Sequence, residues 1–388
     1  MKKKICIVTG SRAEYGLLRS LMDEIRSDKD LKLQVVATGS HLSPEFGLTY
    51  KEIEKDKFKI DLKIDIDLSS DTPSGISYSM GLAMAGFGKA FEKLKPDIVV
   101  VLGDRFEIFS AVSAAHVARI PVAHIHGGEV TEGAIDDAFR HCITKMSCLH
   151  FTSTEEYRKR VIQLGEYPNR VFNVGAIGLD NINKMKLLSK EQLEKELNLK
   201  FKKYNLLVTF HPVTLENNTS EKQFKNLLEA LSSLKETKTI FTKSNSDTNG
   251  KIINKMIDSY VKKHPDTSSC FASMGHLKYL SSMQFVDAVV GNSSSGIIEA
   301  PSFKIGTLNI GDRQKGRVKA RSIIDCLPEI DEIRQGLNLM FSTEFKTRLR
   351  TVSNPYEGIN TSRLIKDKII KNLIGGTTLK KEFYNIKI

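Results

Sequence analysis

Residues 97–126 read DIVVVLGDRFEIFSAVSAAHVARIPVAHIH, and this stretch decides the fold. Asp97–Gly103 is rich in Val and Ile, the pattern of a strand buried on both faces. Gly103-Asp104-Arg105 interrupts it, and Ile108–Ala118 then repeats its apolar residues at helical spacing. Val122–His126 is a second strand. Strand, helix and strand in that order form a parallel crossover unit.

The same alternation extends outward. Strands are expected at Ile5–Thr9, Leu33–Ala37, Ile60–Ile66, Leu149–Thr152 and Arg170–Val174, with helices at Tyr15–Ile25, Ile76–Leu94, Asp136–Met146 and Glu155–Leu164. Asn181–Lys203 is polar and lysine-rich and reads as a bridge. The pattern then restarts with strands at Leu206–Phe210, Thr239–Lys243, Ser269–Ala272, Ala288–Gly291 and Thr307–Ile310. Helices are expected around Lys222–Leu234, Lys251–His264 and Leu277–Ser282. The expected fold class is α/β: two Rossmann-like doubly wound domains facing a cleft, spanning 1–178 and 179–360. A helical segment, 361–388, packs back on the first. In such sheets ligands bind beyond the carboxyl ends of the strands, so the residues there carry the functional reading.

Composition narrows the classes. The 388 residues are 40% hydrophobic and 27% charged, a globular balance. No apolar run approaches the roughly 18–20 residues that cross a bilayer, and Met1-Lys2-Lys3-Lys4 leads directly into a strand rather than a signal peptide. The net charge of +12 comes from scattered basic residues without Trp or a nucleic-acid module. An anionic small molecule is therefore the better ligand, with neither nucleic acid nor membrane as partner. Five cysteines without a CxxC pair suit a reducing compartment, so the expected location is cytoplasmic. Cys6 and Cys270 read as buried.

Each strand end offers candidate chemistry. Gly10 permits a tight turn, and Arg12 stands where a helix begins, which suits an anion. Asp104 beside Arg105 is a costly place for a charge unless paired or used; the plainer reading is an N-cap with a structural ion pair. Strand alternation sends His124 and His126 to one side, and Gly127 and Gly128 would let backbone approach a ligand. Glu129 follows. Asp136 and Arg140 are one helical turn apart, and a solvated ion pair is the plainer reading. So many protonatable groups favour acid/base chemistry over a metal, because spacing fixes no third ligand. His211 stands at a strand end of the second half. Gly291–Gly296 (GNSSSG) reads as a phosphate cradle, with Glu299 placed for ribose hydroxyls and Gly311–Arg317 (GDRQKGR) offering cations. Together these describe a nucleoside diphosphate site. Asp65-Ile66-Asp67 matches a metal-binding DxD, but reads as the outer face of a strand with Ile64 and Ile66 inward.

These motifs, Thr9–Tyr15 (TGSRAEY), Leu102–Arg105 (LGDR), His124–Glu129 (HIHGGE), Phe210–Pro212 (FHP), GNSSSG and GDRQKGR, in this order, resemble the hydrolysing UDP-N-acetylglucosamine 2-epimerases. The branch feeding bacterial sialic and nonulosonic acid synthesis is the most similar. Thr152–Tyr157 (TSTEEY) and Ser353–Tyr356 (SNPY) extend the likeness over nearly the whole chain. The resemblance implies a glycosyltransferase-B-type fold, a homodimer or homotetramer, and conversion of UDP-N-acetylglucosamine and water to N-acetylmannosamine and UDP, with no cofactor and no metal. It carries Arg12, Arg105, Ser293, Ser294, Gly296, Glu299 and Arg313 to substrate and UDP binding. Asp104, Asp136, Arg140 and His211 go to the catalytic region, with His126 and Glu129 sharing a proton-transfer position where more distant relatives have one glutamate. The same reaction on UDP-2,4-diacetamido-2,4,6-trideoxyglucose is the alternative substrate. A glycosyltransferase of this fold, or a silent sugar-nucleotide sensor, are the rivals of other classes.

Overall fold

A computed structural model of the protein describes residues 2–70, 72–131, 135–212, 219–243, 250–376 and 379–386. It divides into two units, one gathering Met1–Glu129, Asp136–Asn181 and Tyr356–Ile388, the other Val130–Ile135 and Ile182–Pro355.

In the first unit the strands are β1 (Lys3–Thr9), β2 (Leu31–Thr38), β3 (Leu62–Ile64), β4 (Ile98–Leu102), β5 (Val122–Ile125), β6 (Leu149–Thr152) and β7 (Val171–Asn173). The helices are α1 (Arg12–Arg26), α2 (Tyr50–Lys55), α3 (Pro73–Leu94), α4 (Phe106–Val117), α5 (Asp136–Met146) and α6 (Glu155–Gln163), while α7 (Leu179–Lys184) leads out of the unit. The sheet order is β3-β2-β1-β4-β5-β6-β7, all parallel. Successive residues on a strand point to opposite faces, and β1 shows the result. Ile5 and Ile7 pack with Leu18, Leu21 and Ile25 of α1, whereas Cys6 and Val8 pack with Phe87 and Phe91 of α3 and Ile108 of α4. Each such apolar side chain, fully buried, stabilises by about 1.5–3 kcal/mol before entropy is counted.

The second unit carries α8 (Lys190–Leu197), β8 (Tyr204–Thr209), α9 (Ser220–Ser232), β9 (Thr237–Thr242), α10 (Gly250–Lys263), β10 (Ser268–Phe271) and α11 (Gly275–Ser282). It continues through β11 (Ala288–Gly291), α12 (Ser294–Ile298), β12 (Gly306–Ile310), β13 (Ile323–Cys326), α13 (Ile330–Phe341) and α14 (Thr343–Arg350). Its sheet, β10-β9-β8-β11-β12-β13, is again parallel throughout. Both units are Rossmann-like, as the alternation required. Sequence reasoning missed β13, an edge strand whose residues are half-buried or exposed and lack the apolar run of the others.

The last helix, α15 (Thr361–Ile374), belongs to the first unit, where Ile365, Ile369 and Leu373 join the core beside α1. Its N-terminus has no cap of its own; the buried Asp180 carboxylate accepts from the backbone N–H groups of Thr361 (2.9 Å) and Ser362 (2.6 Å). Beyond it Lys381 Nζ donates to the carbonyls of Lys145 and Ser147, both at 2.7 Å, and to both Glu166 oxygens at 2.8 Å. Glu166 also accepts from Lys145 (2.6 Å) and lies 3.0 Å from His150 Nε2.

Other expectations meet the structure unevenly. Ile64 and Ile66 are buried while Asp65 and Asp67 are exposed, but β3 has ended and Asp65 accepts from the Asp67 N–H in a turn. Cys6 is buried, whereas Cys270 is only half-buried, with its thiol 3.6 Å from Asp258. Among the described residues no helix is long and apolar enough to cross a membrane, and no group of three His, Cys, Asp or Glu could hold a metal ion.

Two stability predictions follow. Burial disfavours the charged form of Glu166, but hydrogen bonds from His150, Lys145 and Lys381 outweigh it and hold its carboxyl at about 2, below the ordinary 4.5. A depressed carboxyl contributes its stability above about pH 4.5 and loses it as pH falls toward 2. Lys381→Met should therefore cost about 3 kcal/mol at neutral pH, and the loss should shrink in acid, as read by urea unfolding at several pH values. Gly291, at the end of β11, has φ +129°, and a Cβ there would lie 1.9 Å from the Thr209 carbonyl oxygen. Gly291→Ala should destabilise the second unit by more than about 3 kcal/mol, as read by its thermal transition.

Candidate active site

In the first unit the strand order reverses between β1 and β4. That is where a parallel sheet opens a crevice at its carboxyl edge. The loop after β1 turns at Gly10 into α1, whose N-cap Ser11 accepts from the Glu14 N–H while Glu14 returns its carboxylate to the Ser11 N–H. Glu14 Oε2 also accepts from the Gly10 N–H at 2.6 Å. Arg12, half-buried, is the first helical residue. Beside this turn lies Glu107, 1% exposed, whose Oε1 would meet a Cβ on Gly10 at 2.5 Å. Burial and the nearby Glu107 charge push the Glu14 carboxyl up to about 8, against the opposing pull of Arg105. Sequence reasoning missed Glu107; its signal was a carboxylate on the apolar face of α4.

Asp104 follows β4 and is half-buried, paired with Arg140 Nη2 of α5. It is not an N-cap: Arg105 takes that position in α4 without a side-chain cap. Arg105 directs its Nε to Glu107 Oε1 at 2.7 Å. Arg140 is 4% exposed, so the reading of a solvated pair fails for it. Asp136, the first residue of α5, is half-buried one turn away. The pair Asp104–Arg140 thus joins the loop after β4 to helix α5.

His126 departs from expectation. Strand β5 ends at Ile125, and His126 adopts φ +66°, so alternation does not place it beside His124. A left-handed backbone at histidine is uncommon and is held here by structure around it. Its N–H donates to the Phe151 carbonyl at 2.8 Å, and its Nδ1 lies 3.4 Å from Glu129 Oε1. Glu129, 2% exposed, accepts from Ser153 Oγ at 2.8 Å. An Nδ1–H facing this carboxylate makes Nε2 the ring atom suited to take a proton. His124 turns elsewhere, to the Gly103 carbonyl and Thr144. The two glycines also have internal duties: a Cβ on Gly127 would meet His124 Nδ1 and Thr144 Oγ1 at 3.0 Å, and one on Gly128 would meet the Tyr157 carbonyl oxygen at 2.5 Å.

In the second unit the reversal falls between β8 and β11. Asn292, 1% exposed, holds both ends. Its Oδ1 accepts from the His211 N–H and its Nδ2 donates to the His211 carbonyl, both at 2.7 Å, while its own N–H donates to the Thr209 carbonyl. Its carbonyl accepts from Arg313 Nη1 (3.2 Å) and Gln314 Nε2 (2.9 Å). His211, Ser293 and Arg313, from three different strand ends, are thereby gathered around one buried amide. Asn292 was quoted in a motif but not chosen, because its work is done through backbone groups that no sequence pattern displays. Ser293 caps α12 by accepting from the Ser295 N–H, Ser294 opens that helix, and Glu299 ends it. Gly296 serves packing: a Cβ there would meet Thr307 Cγ2 at 2.6 Å, and its carbonyl accepts from Thr307 Oγ1.

Residues 23–370 match the family model described as UDP-N-acetylglucosamine 2-epimerase. A Campylobacter jejuni protein named GDP/UDP-N,N'-diacetylbacillosamine 2-epimerase (hydrolyzing) is 49% identical over 99% of this chain and 100% of its own length. Polysialic acid biosynthesis protein P7 of Escherichia coli is 43% identical over 95% of this chain and 94% of its own. The crystal structure of the Neisseria meningitidis UDP-GlcNAc 2-epimerase bound to UDP-GlcNAc shares the fold, with TM-score 0.79 at 19% identity, covering 95% of this chain and all of that one. With the family model spanning most of the chain and these relatives aligned along nearly their full lengths, the protein belongs to the UDP-N-acetylglucosamine 2-epimerase family of enzymes.

Proposed function

We propose that the protein is a hydrolysing 2-epimerase of a UDP-linked 2-acetamido sugar, releasing the manno-configured sugar and UDP. The observation that carries this reading is the pairing of half-buried Asp104 with buried Arg140 at the β4 end, with His126, at φ +66°, and its partner Glu129 in the loop after β5. In the α-linked gluco substrate the C2 hydrogen and the diphosphate are trans-diaxial. A base takes the C2 proton, its electron pair forms the C1–C2 double bond, and the C1–oxygen bond breaks as UDP departs. The glycal then receives a proton at C2 from the opposite face and water oxygen at C1, and that water loses a proton. Asp104, Asp136 and the His126–Glu129 pair supply the acid and base groups, with Arg140 holding Asp104 in place.

The second unit is suited to the nucleotide: Ser293 and Ser294 at the start of α12, Arg313, and Glu299 for the ribose, with His211 held by Asn292 at the neighbouring strand end. In the first unit, Arg12 and Arg105 are cations suited to a phosphate group. Departure of an anion toward guanidinium and backbone N–H groups needs no metal.

Two sugars fit this chemistry. The 49% identity to a protein named for diacetylbacillosamine favours UDP-2,4-diacetamido-2,4,6-trideoxyglucose, while the 43% identity to a polysialic acid protein supports UDP-N-acetylglucosamine. Assaying both side by side, each as UDP and GDP forms, decides between them; release of neither free sugar nor nucleotide would leave a glycosyltransferase or a sensor. In heavy water the released sugar should carry one deuterium at C2. Product without it would rule out elimination. Asp104→Asn should keep UDP affinity in calorimetry while lowering turnover by about 10²–10⁴-fold.

A further inference from the structure

His124 is 0% exposed and sits on β5, next to β4, which ends just before Asp104, and ahead of α5, which carries Arg140. Its Nε2 lies 2.8 Å from the Gly103 carbonyl oxygen, and its Nδ1 lies 3.1 Å from Thr144 Oγ1. A carbonyl can only accept, so Nε2 carries the hydrogen; in the neutral ring Nδ1 then accepts from the Thr144 hydroxyl. Gly103 immediately precedes Asp104, and Thr144 lies one helical turn after Arg140 on α5. One imidazole therefore spans the same two elements that the Asp104–Arg140 ion pair joins. Gly127 provides the space, since any Cβ there would press on both His124 Nδ1 and Thr144 Oγ1. Burial, with Gly103 opposing and His150, Arg140 and His126 adding to it, pushes the imidazole down to about 3, so the ring stays neutral at working pH.

We propose that His124 is the positioning residue of the catalytic turn: as a neutral Nε2–H donor it fixes the Gly103 carbonyl, and so sets where Asp104 stands relative to α5. It transfers no proton itself. A small misplacement of a reacting group can cost about 10²-fold in rate, which gives such a brace its value.

Two near-isosteric substitutions separate this role from others. Glutamine places an amide N–H where Nε2 stands; asparagine reaches only the Nδ1 position. His124→Gln should retain kcat within about tenfold of the parent, while His124→Asn should lose about 100-fold or more, with KM and UDP affinity nearly unchanged. Without any substrate, hydrogen exchange in the Gly103–Glu107 peptide should rise about tenfold or more in His124→Asn and less than about threefold in His124→Gln. Equal kcat losses in the two variants would make the ring a proton carrier and overturn the proposal, as would exchange that does not distinguish them. Should His124→Asn fail to fold, Thr144→Val and Thr144→Ser carry the test: Val should raise exchange in the same peptide and lower kcat, and Ser should restore both. A valine variant indistinguishable from the parent would sink the idea. The kinetic arm rests on the epimerase reading, but the exchange arm does not. A parent protein that turns over no nucleotide sugar would defeat that reading and leave the brace to be decided by exchange alone.

Discussion

A parallel strand cannot pass its chain to its neighbour through a tight turn, so each connection must cross over the sheet, and every strand ends on the same edge. The rest of this molecule depends on that constraint. In both units the second half of the sheet is built outward from the first strand in the opposite direction, which leaves two adjacent strand ends without a crossover between them. Gly10 and Asp104 flank the gap in one sheet, and His211 and Asn292 flank it in the other. Polar groups accumulate there because strand ends leave backbone groups without ladder partners. Asn292 closes this account for its unit by occupying five backbone groups or side-chain donors at once.

Charge in the first unit is organised by burial. Asp104 and Arg140 offset each other, and Glu129 is held by Ser153 and His126. Glu14 and Glu107 are a different case, two buried carboxyl groups close enough that ionising both is unfavourable. Burial first, and the Glu107 charge second, push the Glu14 carboxyl well above the ordinary range, while Arg105 lies against Glu107. The turn carrying Arg12 is thus built on a carboxyl group whose charge is disfavoured chiefly by burial.

Most of the fold was legible because buried parallel strands announce themselves as Val- and Ile-rich runs. Helix α5 and strand β11 were placed to the residue. Less legible were features that depend on where a side chain meets distant chain. β13 lacked an apolar run because it lies at an edge. His126 has left the strand with a positive φ and its N–H on the Phe151 carbonyl, so alternation along a continuing strand does not apply to it. Gly127 and Gly128 were read as letting backbone approach a ligand and Gly296 as part of a phosphate cradle, and at all three another part of the protein also comes close. Sequence patterns report burial well and three-dimensional neighbours poorly, which is why Asp104 and Arg140 could be nominated separately while their pairing could not.

The Asp180 carboxylate that ends α15's need for a cap has a consequence for synthesis. Its partners, Thr361 and Ser362, emerge after the entire second sheet has been made. On a ribosome the first unit must wait with part of its hydrophobic core uncovered, because Ile365, Ile369 and Leu373 have not yet arrived, while the second unit, complete by Pro355, is free to fold ahead of it. The unit that carries β1 therefore completes its core only after the second sheet has been made, once Ile365, Ile369 and Leu373 have emerged.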